Sequence, residues 1–338
     1  MCFNFSEVNK MKIKIIFLER LIKKALKKYG YTPKEIKTIK NILQYAQLRG
    51  NNQGIVKLIG KGIPRRVEGQ PPKIIKQSKV SALVDGNKTH AMVVMDYLTD
   101  LAIKKAKKSG VGIAGSNNTE ESTGAIGYYV NKITQFGYIG IAFSASPFQT
   151  TAPFGSNEAR FCTNPFAFGI PTSTDPIILD MTTSTMAYYG LIEAKIAGKE
   201  VPEDIGYDSK GNPTTNPAEI MSGALKTMAG HKGSGLALVV QIMAGAFVGA
   251  DSFNDESDNS GNLVIAIDPE IFIPAEEFKN NVSDIIRKVK SARKIEGVKE
   301  IMFPGEKGNK LTKERAESGE IDIEENLLKQ LKEIVKNT

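Results

Sequence analysis

The sequence has few of the residues on which several common protein classes depend. It contains two cysteines, Cys2 and Cys162, which excludes a disulfide framework and fits a reducing compartment, so we expect a cytoplasmic protein. Its only histidines are His90 and His231. They lie far apart and have no cysteine or carboxylate at metal-ligand spacing. We therefore expect no metal site, and a histidine-based hydrolytic triad has few candidates.

Long apolar runs are also missing. The longest, residues 236–250, has about 15 residues against the roughly 20 that cross a bilayer, which predicts a buried core helix and no membrane association. Residues 1–21 mix charged with apolar side chains and lack a small-residue cleavage site, so they do not indicate a signal peptide. The net charge is +8. Its lysines are spread over helices and tails, which favours a solvated basic surface over a nucleic-acid site.

The spacing of apolar residues predicts alternating strands and helices, which is typical of an α/β fold. A turn at residues 30–33, with Thr32 as a cap, divides the helical pattern of residues 14–47 in two. Further helical patterns cover residues 90–109, 124–137, 181–199, 278–293 and 324–336. Strand patterns cover residues 79–85, 110–115, 138–144, 166–170, 176–180, 263–267 and 298–303.

A glycine-rich segment, residues 230–235, reads Gly-His-Lys-Gly-Ser-Gly. Its glycines let backbone N–H groups approach a ligand, and we predict that an apolar helix begins just after it, at Leu236. A helix N-terminus beside the ammonium of Lys232 suits a phosphate. The spacing matches neither the dinucleotide fingerprint nor the phosphate-binding loop, and a tight structural turn explains the same residues equally well.

A second polar segment follows the predicted strand 176–180. Asp180 and Met181 precede four consecutive hydroxyl side chains, residues 182–185. Such a turn can bind ribose or pyrophosphate through its donors and acceptors. The alternative is an Asp N-cap with hydroxyls that satisfy the first turn of a helix, which is the more frequent role of this composition.

Seven blocks, taken in order, resemble the malate/L-lactate dehydrogenase family, which includes sulfolactate, ureidoglycolate and diketogulonate oxidoreductases and piperideine-carboxylate reductase. Each block alone is short, but their order and spacing are specific. The blocks are LVDG (83–86), GAIGYY (124–129), TNP (163–165), ILDM (178–181), GNPTT (211–215), GHKG (230–233) and PGE (304–306).

The resemblance implies a non-Rossmann NAD(P)-binding fold, with a large, mainly antiparallel or mixed sheet covered by helices. It assigns the NAD(P)-binding domain to residues 116–306 and a helical substrate and dimerisation region to 1–115 with 307–338, in a homodimer with shared sites. NAD or NADP is the implied cofactor. The family's cofactor contacts carry over to Ser146, Thr163, Asp180, Met181, Thr182, Thr183, Ser184, His231, Lys232, Gly305 and Glu306.

The chain departs from this family where catalysis is expected. Members usually carry Ser-His-Gly near the N-terminus and a second histidine just before the GxxGYY helix. Here Gln53 and Ser122 stand in those places, and Lys57 stands where an arginine commonly binds the substrate carboxylate. Reduction of a carbonyl needs a proton at the developing alkoxide, and Gln53 can donate a hydrogen bond but cannot titrate.

Two functions therefore stay open. One is an NAD(P)-dependent oxidoreductase that transfers hydride between nicotinamide and a small 2-hydroxy or 2-oxo acid or a cyclic imino acid, with Gln53, Lys57 and Ser122 as candidate catalytic residues. The other is a catalytically impaired homologue that retains cofactor binding. Loss of general acid catalysis costs about 10²–10⁴ in rate, so a slow enzyme and an inactive one both fit. His90 is interpreted as a capping or surface histidine outside the site.

Overall fold

A computed structural model describes residues 9–120, 122–253 and 257–336, so Cys2 lies outside the described residues. The helices are α1 Ile15–Lys28, α2 Pro33–Leu48, α3 Ala91–Ser109, α4 Gly127–Thr134, α5 Tyr188–Ile196, α6 Pro217–Ser222, α7 His231–Ala244, α8 Ala275–Lys290, α9 Glu306–Ser318 and α10 Glu325–Lys336. The strands are β1 Lys10–Lys14, β2 Lys73–Gln77, β3 Ser81–Asp85, β4 Val111–Thr119, β5 Ile139–Ala145, β6 Thr151–Ala152, β7 Phe166–Ile170, β8 Ile177–Met181, β9 Gly206–Tyr207, β10 Pro213–Thr214, β11 Ala224–Lys226, β12 Ser260–Ile267 and β13 Glu320–Glu324.

A seven-stranded sheet with the order β2-β3-β4-β12-β5-β7-β8 forms the centre of the molecule. Strands β3 and β4 pair in parallel, and the other neighbours in this sheet are antiparallel. The prediction of an α/β fold with a large, mainly antiparallel or mixed sheet is confirmed. The predicted strands 166–170 and 176–180 are found as β7 and β8, which pair antiparallel as a hairpin.

Helix α3 packs closely on one face of this sheet because strand β4 carries a glycine at the contact. A Cβ atom at Gly112 would overlap the backbone carbonyl of Ala102 in α3. The facing side of α3 contributes Leu98 and Ala106, both fully buried, to the main apolar cluster. This cluster holds the sheet and the helices in one core, since burial of apolar surface is the dominant stabilising effect.

The two ends of the chain come together. Strands β1 and β13 pair antiparallel. Helix α1 packs on β1, α9 and α10 pack on β13, and α2 packs against α1. Thr32 and Glu35 form the capping box that starts α2, which confirms the predicted cap. The predicted domain boundary after residue 115 falls inside β4, and the sheet takes strands from both sides of it. The functional division of the chain therefore stays a prediction.

Helix α7 differs from the prediction in its start and in its burial. It begins at His231, not at Leu236, so most of the glycine-rich segment is its first turn, after Gly230 at a φ of 61°. Residues His231–Val248 are long and apolar enough to cross a membrane, and 39% of them are buried. The prediction of a buried core helix is wrong for much of α7, because the helix packs on β5 and β12 but leaves Leu238, Val239 and Ile242 about half exposed.

Two other local predictions are wrong. Residues 298–303 form no strand. The hydrogen bond to the nearby strand β8, from Ile178 N to the carbonyl of Pro304 at 3.0 Å, is made by the residue just after this segment. The helix predicted for residues 181–199 begins only at Tyr188, because the hydroxyl side chains before it bond to other parts of the protein.

Candidate functional site

Lys57 is the most unusual charged residue of the molecule, since its side chain is buried. It lies in the short 3₁₀ turn Ile55–Leu58 and is 1% exposed. Its Nζ donates a hydrogen bond of 2.6 Å to Ser122 Oγ and lies 3.3 Å from the centre of the Tyr189 ring in α5. Hydrogen bonding and cation–π attraction offset the cost of burying an ammonium group.

Ser122 lies between β4 and α4, at the start of the GAIGYY block. Besides the bond from Lys57, its Oγ accepts a hydrogen bond of 3.3 Å from Gly124 N. Tyr129, fully buried in α4, fixes the same segment by donating from its hydroxyl to the Thr123 carbonyl at 2.7 Å. The structure thus brings together Lys57 and Ser122, two of the three predicted catalytic residues, from 65 positions apart in the chain.

Gln53 lies in the turn that leads into Lys57. Its backbone N donates to Asn51 Oδ1 at 2.9 Å, and its side-chain Nε2 donates to Asn52 Oδ1 at 3.2 Å. Two asparagines therefore orient this residue. Its catalytic role stays a prediction.

His90 is a buried residue that the sequence placed outside the site. It caps α3 as predicted, with Nδ1 accepting from Met92 N at 3.2 Å, but it is 5% exposed and so does not lie at the surface. Within the described ranges, no hydrogen-bond partner reaches its Nε2. Burial and the nearby charge of Lys57 lower its pKa to about 3. The sequence offers no signal for this burial, because a polar residue at a helix start is commonly exposed.

Asp180 is the next-to-last residue of β8 and caps a helix that is distant in the sequence. Its Oδ2 accepts from Gly127 N, at the first turn of α4, at 2.9 Å. Burial raises the pKa of this carboxyl to about 6, although the bond from Gly127 and the charge of Arg49 lower it. The alternative predicted that Asp180 caps the helix that follows it. Asp180 does cap a helix, but that helix is α4 and not α5.

The hydroxyls after Asp180 bond to backbone carbonyls. Thr182 Oγ1 and Thr183 Oγ1 both donate to the Thr163 carbonyl, at 2.7 Å and 3.1 Å. Ser184 Oγ donates to the Met186 carbonyl at 2.7 Å. Thr183 and Ser184 are buried, whereas Met181 is 37% exposed. These bonds fix the course of the chain from β8 toward α5.

This turn joins the start of α7. Met228 N donates to the Thr183 carbonyl at 2.9 Å, and Ser184 forms an isolated bridge with Thr227. His231 and Lys232 follow, both exposed in the first turn of α7. We call the residues 163, 180–184 and 227–232 the cofactor strip. Most of the predicted cofactor contacts thus lie along one continuous stretch of hydrogen-bonded backbone.

A cleft of about 790 Å³ lies beside the cofactor strip. Its polar groups include Lys226, whose Nζ is 3.0 Å from Asp204 Oδ1, and its wall includes Phe154, whose ring meets His231 edge-on at 5.9 Å. Its lining residues are Ala152, Pro153, Phe154, Gly155, Ser156, Asn157, Thr185, Asp204, Tyr207, Gly211, Lys226, Thr227, Ala229 and Gly230. This volume lies within the range of ligand pockets.

The remaining predicted cofactor residues lie outside the cofactor strip. Gly305 lies against Ile178 of β8, and its carbonyl accepts from Arg49 Nη2 at 2.8 Å. Glu306 begins α9, is 8% exposed, and accepts a hydrogen bond from Lys290 Nζ. Ser146 Oγ accepts a hydrogen bond from the hydroxyl of Ser260 at 3.1 Å. Across the described ranges, no group of three or more His, Cys, Asp or Glu side chains is arranged to hold a metal ion.

Comparisons with known proteins identify this arrangement. The malate/L-lactate dehydrogenase family model matches residues 13–332. The chain is 33% identical over 332 residues to the malate/(S)-sulfolactate dehydrogenase of Methanothermus fervidus, covering 93% of this chain and 94% of that protein. It is 34% identical over 328 residues to the L-sulfolactate dehydrogenase of Methanocaldococcus jannaschii, covering 94% of each.

A solved structure shows the same kinship. The malate dehydrogenase of Pyrococcus horikoshii has a TM-score of 0.85 and 32% identity, over 98% of this chain and 97% of that one. Sequence and fold thus agree along nearly the whole length, and the resemblance carried by the seven blocks is confirmed. The chain belongs to the malate/L-lactate dehydrogenase family of oxidoreductases.

Proposed function

We propose that this protein is an NAD(P)-dependent dehydrogenase that interconverts a small 2-hydroxy acid and the corresponding 2-oxo acid. The observation that carries the proposal is the pairing of Lys57 with Ser122, because it keeps a cation and a polarised hydroxyl at the positions where the family's catalytic residues are expected. Relatives named for malate and sulfolactate support the substrate class, since both compounds are 2-hydroxy acids.

The cofactor strip and the cleft beside it fit a nicotinamide dinucleotide. The exposed Lys232 and the N-terminus of α7 supply a positive charge and backbone N–H groups for a phosphate. Asn157, Thr227 and Tyr207 bring polar groups to the cleft for ribose or base. When bound, the nicotinamide supplies or accepts the hydride. The residues of this chain bind the nicotinamide dinucleotide, orient the substrate and transfer the proton.

We also propose that the protein acts as a cytoplasmic homodimer without nucleic-acid or membrane partners. Support for the dimer comes from the outer face of α7, where Leu238, Val239 and Ile242 are each about half exposed, at 48%, 48% and 49%. Phe247 extends this face at 66% exposure. Apolar patches of this kind mark protein interfaces. The cytoplasmic assignment rests on the low cysteine content.

Cofactor binding is tested by titrating the protein with NADH and with NADPH while nicotinamide fluorescence is recorded. We expect at least one of them to bind, and Lys232→Ala to weaken binding about tenfold, because it removes a charge-assisted phosphate contact. Lys24→Ala, an exposed lysine of α1, is the matched control and leaves binding unchanged. Absence of binding of either nucleotide at hundreds of micromolar would contradict the proposal.

A further inference from the structure

We propose that Lys57 and Ser122 form a proton relay, in which Ser122 gives a proton to the oxygen of the substrate and Lys57 replaces it. This inference rests on the proposed function. It assigns the proton donor in a chain whose sequence has glutamine and serine where the family usually has two histidines. Ser122 is the catalytic residue of the pair, and Lys57 acts through it.

The hydrogen bonds of Ser122 orient its hydroxyl proton. A serine hydroxyl has one donor and two acceptor sites. Ser122 Oγ accepts from Lys57 Nζ at 2.6 Å and from Gly124 N at 3.3 Å, so both acceptor sites are used. The O–H group is left as the donor to a third partner. Ser122 is half-buried whereas Lys57 is fully buried, so the serine is the member of the pair that a substrate can reach.

The histidines of the chain do not fill this role. Burial lowers the pKa of His90 to about 3, so this ring is neutral at physiological pH and carries no acidic proton to transfer. His231 stands in the first turn of α7, edge-on to Phe154 at the cleft. Lys57 is the group that is bonded directly to Ser122, with a short N–H···O contact suited to proton transfer.

Each reduction moves one proton from Ser122 to the substrate and one from Lys57 to Ser122. When the carbonyl carbon of a 2-oxo acid accepts hydride, the electron pair of the C=O π bond moves to oxygen. The O–H bond of Ser122 breaks as its proton goes to that oxygen, and an N–H bond of Lys57 breaks as its proton goes to Ser122 Oγ. The 2-hydroxy acid leaves, Lys57 is neutral, and a proton from water returns to it through Ser122. Oxidation of the hydroxy acid runs the same transfers in reverse.

The charged and titratable groups around Lys57 set the conditions for this relay. Its charge acts on His90 at the start of α3 and on Glu193 in α5, where it lowers both pKa values. Burial and the charge of Glu324 raise the pKa of Glu193, to about 7. Tyr189 lies against the ammonium. The pKa of Glu193 therefore lies near neutrality, so its titration must be separated from the pH dependence of the relay.

The test uses the full-length protein and compares Lys57→Met, Lys57→Arg, Ser122→Ala and Ser122→Thr in the reduction of a 2-oxo acid. We expect Lys57→Met and Ser122→Ala each to lower kcat by about 10²–10⁴, with KM changed less than threefold. In the double variant, kcat falls no further than in either single variant, because the two residues act as one unit. Ser122→Thr, which keeps a hydroxyl, restores most of kcat.

The pH profile and a binding measurement separate the relay from a structural or carboxylate-binding role. We expect the rate of reduction by the wild type to fall on the alkaline side, and Lys57→Arg, which keeps the charge but does not titrate, to lose that limb. The variant Glu193→Gln keeps the fall in rate on the alkaline side. Oxamate, a non-reducible 2-oxo acid analogue, binds the wild type and Lys57→Met in the presence of NADH or NADPH with similar affinity, as followed by nicotinamide fluorescence.

Two results would overturn the relay. In the first, Lys57→Met raises KM and weakens oxamate binding more than tenfold while kcat holds, so that Lys57 binds the carboxylate. In the second, Ser122→Ala keeps full kcat. Neither result contradicts the proposed dehydrogenase function, since the wild type still reduces the 2-oxo acid. A wild type that binds the cofactor but reduces no 2-oxo acid would reject both.

Discussion

The carboxyl group of Asp180 links two parts of the molecule that the sequence keeps apart, the end of β8 and the first turn of α4. Its Oδ2 accepts from Gly127 N, and burial raises its pKa from the ordinary value of 3.8 to about 6. The sequence predicted a cap or a cofactor contact here. It could not predict which helix is capped, because 53 residues separate the two partners. The same holds for Lys57 and Ser122, which only the family resemblance placed in one site.

The raised pKa of Asp180 gives a testable pH dependence of stability. Between pH 4 and pH 6 the folded protein holds a proton here that the unfolded chain has released, so the free energy of unfolding falls as pH rises. The shift from 3.8 to about 6 corresponds to about 3 kcal/mol. Asp180→Asn keeps an acceptor for Gly127 N and removes the titration.

Urea unfolding at pH 4 and at pH 7.5 measures this effect. We expect the wild type to lose about 2.5 kcal/mol more stability than Asp180→Asn on going to the higher pH, since the unfolded carboxyl is already partly ionised at pH 4. Taking the difference between the two proteins removes the contribution of Glu193, whose pKa is also raised. Equal losses in both proteins would contradict the account of this carboxyl.

Elements with strong local signals were predicted well, and elements that depend on distant partners were not. Helix α2 has a capping box, and α3 has a long buried face. Strand β1 was missed because its partner β13 comes from the opposite end of the chain. The predicted strand at 298–303 was wrong because alternation alone does not supply a neighbouring strand. Helix α9 was missed because it is charged all round and its one buried residue is Glu306.

The contact between α3 and β4 leads to a prediction for Gly112→Ala. The added methyl group would overlap the Ala102 carbonyl, and because backbone atoms cannot turn aside, we expect a loss of about 2 kcal/mol or more in unfolding free energy. Gly235→Ala in α7 is the matched control, since nothing lies within 4 Å of its added Cβ. It should raise stability by up to about 1 kcal/mol. Chemical denaturation of both variants measures these changes in unfolding free energy. An unchanged unfolding free energy in Gly112→Ala would show that α3 is loosely packed.

For the whole molecule, the outer face of α7 connects the cofactor strip with the proposed dimer. The helix begins at His231 in the strip and then presents Leu238, Val239 and Ile242 to solvent. The sequence predicted an apolar helix here but not that half of it is uncovered, because periodicity does not tell a core neighbour from a second subunit. A second copy seated on this face would bring another chain close to the cofactor strip.

Ile242→Glu tests the proposed dimer. A charge in the centre of an apolar interface is costly, so we expect this variant to sediment as a monomer in analytical ultracentrifugation while the wild type sediments as a dimer. Phe136→Glu, which replaces an apolar residue of 56% exposure just after α4, is the control and keeps the wild-type mass. A variant Ile242→Glu that remains dimeric would place the interface elsewhere.

We propose that this chain is a working dehydrogenase although both expected catalytic histidines are replaced. The most direct measurement is the change in nicotinamide absorbance when the purified protein meets NADH or NADPH with a panel of 2-oxo acids and cyclic imines, and NAD or NADP with the matching 2-hydroxy acids. We expect turnover of at least one 2-oxo acid, and loss of that turnover in Ser122→Ala. Cofactor binding without turnover of any compound would contradict it and would identify the chain as a catalytically impaired member of the family.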